Sequence, residues 1–351
     1  MRVAIKSVLL YLTKYLGGFA VARWITRRQL RVLCYHGISV SDEHLFRRKL
    51  FVRPETFRRR MESLVRDGYV VLSLDEALER LRNGTLCAGS VVITLDDGWR
   101  GILTGAFPVL QELGLKATLY LTTYYVERQL PVFDVLIGYI LWRTDASRLQ
   151  LDGLVPGLQG ELDLSTQAAR QEASRHIVEY GNRSHDSRER CDLTEKLAER
   201  LHVDLKAIRL ERRFHLVSLQ DVKSLSAAGI DIQLHTHRHR LDLENQKEFE
   251  REIRQNRDSL EPTVGRRLEH FCYPSGIYHP RVWPWLEELG LQSATITSTG
   301  FCYRNSPRYA LPRIVDGEDV PHVEFEAEMA GALELIRRTR RWIFGRSEGE
   351  M

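Results

Sequence analysis

Val91-Val92-Ile93-Thr94-Leu95-Asp96-Asp97-Gly98-Trp99 is the stretch on which the fold turns: four β-prone residues lead, through Leu95, into two adjacent carboxylates and a glycine. A Val- and Ile-rich run without polar alternation suits a strand covered on both faces, and Asp-Gly is a turn signal that ends it. Neighbouring strand side chains point to opposite faces, so Asp96 and Asp97 serve one site only if the backbone turns between them. Gly98 permits that turn. The plain alternative is a strand followed by an ordinary Asp-Gly turn, and the rest of the chain must decide between them.

Working outward, short apolar strands alternate with amphipathic helices. Residues 31–37 read as a strand ending in His36 and a glycine. Residues 54–67 carry Phe57, Met61, Leu64 and Val65 on one helical face and stop at Gly68. A strand over 69–72 and a helix capped by Ser73 lead into the opening stretch, and a helix over 107–113 and a strand over 116–121 follow it. The pattern predicts a mostly parallel sheet or barrel. It fails between about 127 and 214, where helices over 133–142, 168–180 and 193–201 surround a Gly- and Leu-rich loop. This segment reads as an insertion that covers or extends one end of the core. His176, His185, His202 and His215 show no ligand spacing and are read as structural or exposed. Alternation resumes with a helix over 218–228, a strand over 230–234, a helix over 248–260 and a strand over 270–273 closed by Pro274-Ser275-Gly276. A helix over 282–289, strands over 293–297 and 310–314, and a helical stretch from Glu324 complete the chain.

A chain of 351 residues allows one large domain or two ordinary ones, and 43% apolar with 28% charged residues argues against wholesale disorder. The net charge is only +4, but the charge is unevenly placed. Arg2, Lys6, Lys14, Arg23, Arg27, Arg28 and Arg31 stand in an N-terminal segment without an acid, and Arg337, Arg338, Arg340, Arg341 and Arg346 surround Trp342, Ile343 and Phe344. Basic amphipathic ends predict peripheral contact with an anionic membrane; a solvated charged face is the plain alternative, and nucleic acid is not expected as a partner. Cys34, Cys87, Cys191, Cys272 and Cys302 form no CxxC pair, so a reducing compartment fits best. Lys14 and Gly17-Gly18 interrupt the only apolar segment near the start, which disfavours export and a spanning helix. The expected location is cytoplasmic, at the inner face of the membrane.

Two strand ends carry groups that a metal uses: Asp97 after one, His235 and His239 after another. A His-x-x-x-His spacing brings both imidazoles to one ion if the segment turns helically, and His237 then points elsewhere. One carboxylate and two histidines leave an open position for water, which outlines a hydrolysis site.

Thr94-Leu95-Asp96-Asp97-Gly98, His235-Thr236-x-x-His239 and Phe271-Cys272-Tyr273-Pro274-Ser275-Gly276 together resemble the motifs of the polysaccharide deacetylases, carbohydrate esterase family 4, known by the NodB homology domain. Leu33-Cys34-Tyr35-His36 and Leu311-Pro312-Arg313-Ile314 are similar to flanking motifs of the branch that contains poly-N-acetylglucosamine deacetylases. The resemblance implies an α/β fold, a distorted (β/α)7-type barrel with a helical insertion. It implies that Asp97, His235 and His239 hold a divalent metal, commonly zinc, and that Asp96 is the general base. The backbone N–H of Ser275 would meet the oxyanion. Two positions depart from the pattern. Cys272 stands where an arginine usually pairs with the base, so Arg313 is expected to bring that charge from another strand. The usual Leu-x-His acid motif is missing, His322 is a poor match, and His36 is the candidate acid, placed opposite the base.

The resulting expectation is metal-dependent removal of an N-acetyl or other N-acyl group from an amino sugar of a polysaccharide, oligosaccharide or glycolipid. Trp99, Tyr124, Tyr125, Tyr278 and Trp283 are candidates to stack on the sugar. The rival is a non-catalytic carbohydrate-binding or scaffold protein on the same fold. Residues 1–29 would form a basic amphipathic segment, 30–325 the catalytic domain with its insertion at about 127–214, and 326–351 a basic helix and tail.

Overall fold

The computed structural model describes residues 2–154, 157–183 and 187–344. His185 and Arg346 lie outside the described residues. Seven strands close into a parallel barrel: β1 Arg31–Tyr35, β2 Ser90–Asp97, β3 Thr118–Leu121, β4 Asp231–Leu234, β5 His270–Cys272, β6 Ser293–Thr299 and β7 Leu311–Val315. Closure comes from β1, which pairs with β2 on one side, Tyr35 opposite Leu95, and with β7 on the other, Leu33 opposite Ile314. A short Val70–Val71 strand flanks the start of β2.

Side-chain alternation sorts the apolar residues into two cores. Val32, Val92, Tyr120, Cys272 and Leu311 point inward and cluster with Leu72, Leu74, Ala77 and Leu78. Leu33, Ile93, Leu95, Leu119, Leu121, Ile232, Leu234, Phe271 and Ile314 point outward into the main core beneath the helices. Every residue of β2 is buried, because one face meets the barrel interior and the other the helix layer. That double burial explains why the opening stretch lacks polar alternation.

The insertion between β3 and β4 holds the helices Phe133–Arg143, Gln167–Arg183, Ser187–Arg200 and Leu205–Leu210. It also holds an antiparallel pair, Arg148–Gln150 with Glu161–Asp163, whose strands are too short to show a period in sequence. A chain of ring contacts ties the insertion to the barrel mouth: Tyr139 to Phe214 at 4.9 Å, Phe214 to Phe51 at 6.1 Å and Phe51 to Trp99 at 5.0 Å. The termini come together on one side of the barrel as four helices: α1 Arg2–Tyr15, α2 Gly18–Ile25, α3 His322–Ala330 and α4 Ala332–Phe344. Gly331, at φ 83°, ends α3 and turns the chain into α4, dividing a stretch that reads as continuously helical.

Candidate metal centre

Parallel strands deliver their C-terminal ends to one face, and there His36 follows β1, Asp96 and Asp97 end β2, His235 follows β4, Ser275 follows β5 and Arg313 lies within β7. This is the mouth at which barrel enzymes carry their chemistry. Asp96 continues the inward alternation of Val92 and Thr94. Asp97 would point outward, but its φ of 68° turns it toward the mouth. Gly98 follows at φ 94°, a left-handed conformation that strains any residue with a side chain, and a Cβ there would also press on Leu121 Cδ1 at 2.0 Å.

Asp97 Oδ1 faces His235 Nε2 at 3.2 Å and His239 Nε2 at 3.3 Å. It is buried and has no hydrogen-bond partner assigned, while Asp97 Oδ2 accepts 2.8 Å from the Trp99 indole. The Nδ1 of His235 sits 2.7 Å from the Cys272 carbonyl, an acceptor that keeps the proton on Nδ1 and frees Nε2 as a ligand. Burial alone would raise the Asp97 pKa, but the two imidazoles override it and hold it well below the carboxylate range. A buried carboxylate oxygen aimed at two ring nitrogens, one on the buried His235 and one on the exposed His239, fits a divalent cation with one side open to solvent.

The His235-to-His239 segment is not a helical turn. Thr236 and His239 have φ of 64° and 55°, and these left-handed residues, not helical spacing, swing both imidazoles to one point. Of the eight non-glycine residues with positive φ among the described residues, Asp97, Thr236, His239 and Ser275 stand at the strand ends that build the site, and Gln129, His202, Arg212 and Phe214 lie in the insertion. Asn256 on the helix Gln246–Val264 holds the segment: its Oδ1 accepts the His235 N–H at 2.9 Å and its Nδ2 donates to the Leu121 carbonyl at 2.9 Å. From the same helix, Glu252 accepts from the Arg238 N–H at 2.8 Å. Both are polar residues on the buried stripe that also contains Phe249, Ile253 and Leu260, a signal that sequence reasoning missed.

Arg313 makes a two-pronged pair with Asp96, Nη1 to Oδ1 at 2.8 Å and Nη2 to Oδ2 at 2.7 Å, with both residues almost fully buried. Arg313 Nη2 also lies 3.2 Å from the Cys272 Sγ, so the residue standing in the usual arginine position touches the arginine that reaches the acid instead. Burial raises the Asp96 pKa, but the Arg313 charge overrides that and brings it to about 2. Two further groupings, Cys34 with His36 and Asp96, and Asp96 with His235 and Cys272, also have ligand spacing. Both depend on Asp96, whose charge Arg313 already neutralises, so the Asp97 set is where a cation is favoured.

Of the remaining candidates, Trp99 alone departs from its expected role. Trp99 is 4% exposed, packs on Phe51 and donates to Asp97, so it orients that carboxylate and offers no face to a sugar. His36 Nε2 lies 3.7 Å from Asp96 Oδ2. Tyr125 is half-buried and its hydroxyl accepts from the Phe133 N–H at 3.3 Å, which anchors the insertion. Tyr124 is half-buried with the Arg128 guanidinium 4.0 Å over its ring. Tyr278 is half-buried 5.7 Å from the Tyr273 ring, and Trp283 is half-buried in the following helix. His237 is turned away from the ligands, with Nδ1 2.9 Å from Thr123 Oγ1 and its pKa lowered by burial. His322 is held by Arg60 and takes no part in the cluster.

Fold and site define a parallel α/β barrel with a two-histidine, one-carboxylate cluster at its mouth. The polysaccharide deacetylase model matches residues 83–294, and the chain belongs to that family. The match spans β2 to β6 and so contains Asp96, Asp97, His235, His239 and Ser275, but neither His36 nor Arg313. YxkH of Bacillus subtilis, a protein named as a polysaccharide deacetylase, is 33% identical over 94 residues, 26% of this chain and 32% of that protein. The matched stretch is therefore about a third of that relative. Two solved structures show the same fold: the Streptococcus pyogenes deacetylase PplD in complex with acetate and IcaB from Ammonifex degensii. The first has TM-score 0.56 and 18% identity, over 86% of this chain and 98% of that one. The second has TM-score 0.53 and 15% identity, over 86% and 97%.

Proposed function

We propose that the protein is a metal-dependent hydrolase that removes an N-acetyl or other N-acyl group from an amino sugar of a polysaccharide, oligosaccharide or glycolipid. The observation that carries this reading is the buried Asp97 Oδ1 between His235 Nε2 and His239 Nε2, next to a second carboxylate already paired by an arginine. Asp97, His235 and His239 would hold the ion; two imidazoles and one carboxylate with an open position suit zinc. Such an ion, when bound, polarises the amide carbonyl and acidifies a water.

The chain's own groups account for the proton transfers. Asp96 accepts the proton of the attacking water, and Arg313 holds that carboxylate ionised and in one orientation. His36 donates to the departing nitrogen; with Nε2 3.7 Å from Asp96 Oδ2, the two groups exchange a proton over a short path. The Ser275 N–H, in the left-handed turn after β5, meets the oxyanion. Tyr278, close to that turn, and Tyr124, beside the His237 loop, supply aromatic surface for the sugar.

The test is Asp96→Asn. Removing the base while leaving the ligands intact is expected to lower acetate release from an N-acetylated oligosaccharide by about 10²- to 10⁴-fold, with one equivalent of metal still bound. Wild-type protein carrying metal that releases no acetate, with Asp96→Asn indistinguishable from it, would favour the carbohydrate-binding reading.

A further inference from the structure

The geometry points to α1, α2 and α4 as a docking surface for an anionic lipid bilayer, an inference independent of the catalytic reading. α1 sits on the protein the wrong way round for a soluble amphipathic helix. Lys6, Leu10 and Lys14, spaced by four residues, form the face that meets α3: Lys6 pairs with Glu324, Lys14 with Glu326 at 2.8 Å, and Leu10 is buried with Val323 and Ala327. The opposite face holds Ile5, Val8, Leu9, Leu12 and Leu16, with exposures from 54% to 85%. An apolar stripe left in water while its two lysines, themselves partly exposed, are tied to acids of the folded body is costly unless something apolar covers it.

The neighbouring helices extend the same surface. α2 exposes Val21, Trp24 and Ile25, and α4 exposes Ile336, Trp342 and Ile343. Tyr11, Tyr15, Trp24 and Trp342 are all at least 45% exposed, the aromatic enrichment that suits the headgroup layer. Around them stand the exposed Arg28, Arg338, Arg340 and Arg341 and the half-buried Arg23 and Arg27, while the only acid of α4, Glu334, is buried and paired with Arg337 and Arg341. The charge decides the occupant. A second copy would bring these arginines against their own counterparts, whereas an anionic membrane offers the complementary charge.

The structure also favours lying on the bilayer over crossing it. Among the described residues no single helix is long and apolar enough to span, and the stretch Ile5–Tyr15 with Gly18–Ile25 bends by 78°. α1 is further anchored by its two lysines to acids of the folded body.

The test is flotation of the full chain with vesicles of phosphatidylcholine alone or with about 30% phosphatidylglycerol. Binding is expected to the anionic vesicles and to weaken severalfold in high salt. Leu9→Asp/Leu12→Asp should lower it at least about tenfold. Arg28→Glu/Arg340→Glu should abolish the preference for anionic lipid while leaving the circular dichroism spectrum unchanged. Release by alkaline carbonate is expected. No flotation, a dimer that Leu9→Asp/Leu12→Asp breaks in lipid-free buffer, or resistance to carbonate would each overturn the proposal.

Discussion

Trp99 shows how a single residue changes meaning between sequence and structure. Following Asp-Asp-Gly, an aromatic reads as a sugar platform, yet its ring is buried on Phe51 and its indole N–H holds the far oxygen of Asp97. Fixing Oδ2 leaves Oδ1 aimed at the two imidazoles. Trp99→Phe keeps the ring packing and deletes the donor, so metal affinity measured by chelator competition is expected to fall about 10- to 100-fold. An unchanged affinity would show that the indole N–H has no part in orienting the ligand. Asn256 acts in the same manner on the other side, pinning the His235 amide from a helix that carries no ligand itself.

Among elements, the contact that matters most runs across the barrel interior, from β7 to β2. Arg313 and Asp96 are both almost fully buried, and Arg313 also donates to the Ile296 carbonyl at 3.0 Å and lies 3.2 Å from Thr94 Oγ1. A buried pair of this kind is expensive to break, because the surviving charge has no water to turn to. Arg313→Ala is expected to cost about 3–5 kcal/mol in urea denaturation. Adding Asp96→Ala should recover part of that loss, since it removes the stranded carboxylate. Simple additivity of the two would mean that the pair contributes little. Each strand alone reads only as a half-motif, and no spacing rule links positions so far apart in sequence.

At the scale of the whole molecule, α3 joins the barrel to the basic helices and carries a pH-sensitive contact at its start. His322 lies against the Arg60 guanidinium, and burial together with that charge lowers its pKa to about 4. An unfolded histidine takes up its proton near pH ~6.5, so between the two values the unfolded chain binds more protons than the folded one. Stability from this contact is therefore full above pH ~6.5 and falls as pH drops toward 4. His322→Gln is expected to flatten the dependence of the urea midpoint on pH across that window; an unaltered slope would place the acid sensitivity elsewhere. The insertion belongs to this scale as well. Its helices were legible from their periodicity, but its attachment through Tyr139, Phe214 and Phe51 to the residue that holds Asp97 was not.

Sequence alone determined the alternation of strands and helices, its interruption by an irregular segment, and the Asp-Asp-Gly and His-x-x-x-His sets. Those features are local: a strand repeats every two residues, a helix every 3.6, and turn chemistry acts on its own neighbours. Only tertiary structure decided that left-handed backbone, not a helical turn, joins His235 to His239, that Arg313 completes Asp96, and that Lys6 and Lys14 pair with acids of α3. These outcomes depend on barrel closure and helix docking, which bring together groups separated by hundreds of residues and leave no period in the chain. The opening strand illustrates both halves: its residues declare a buried β-strand ending in acids, and its surroundings assign each acid a different partner.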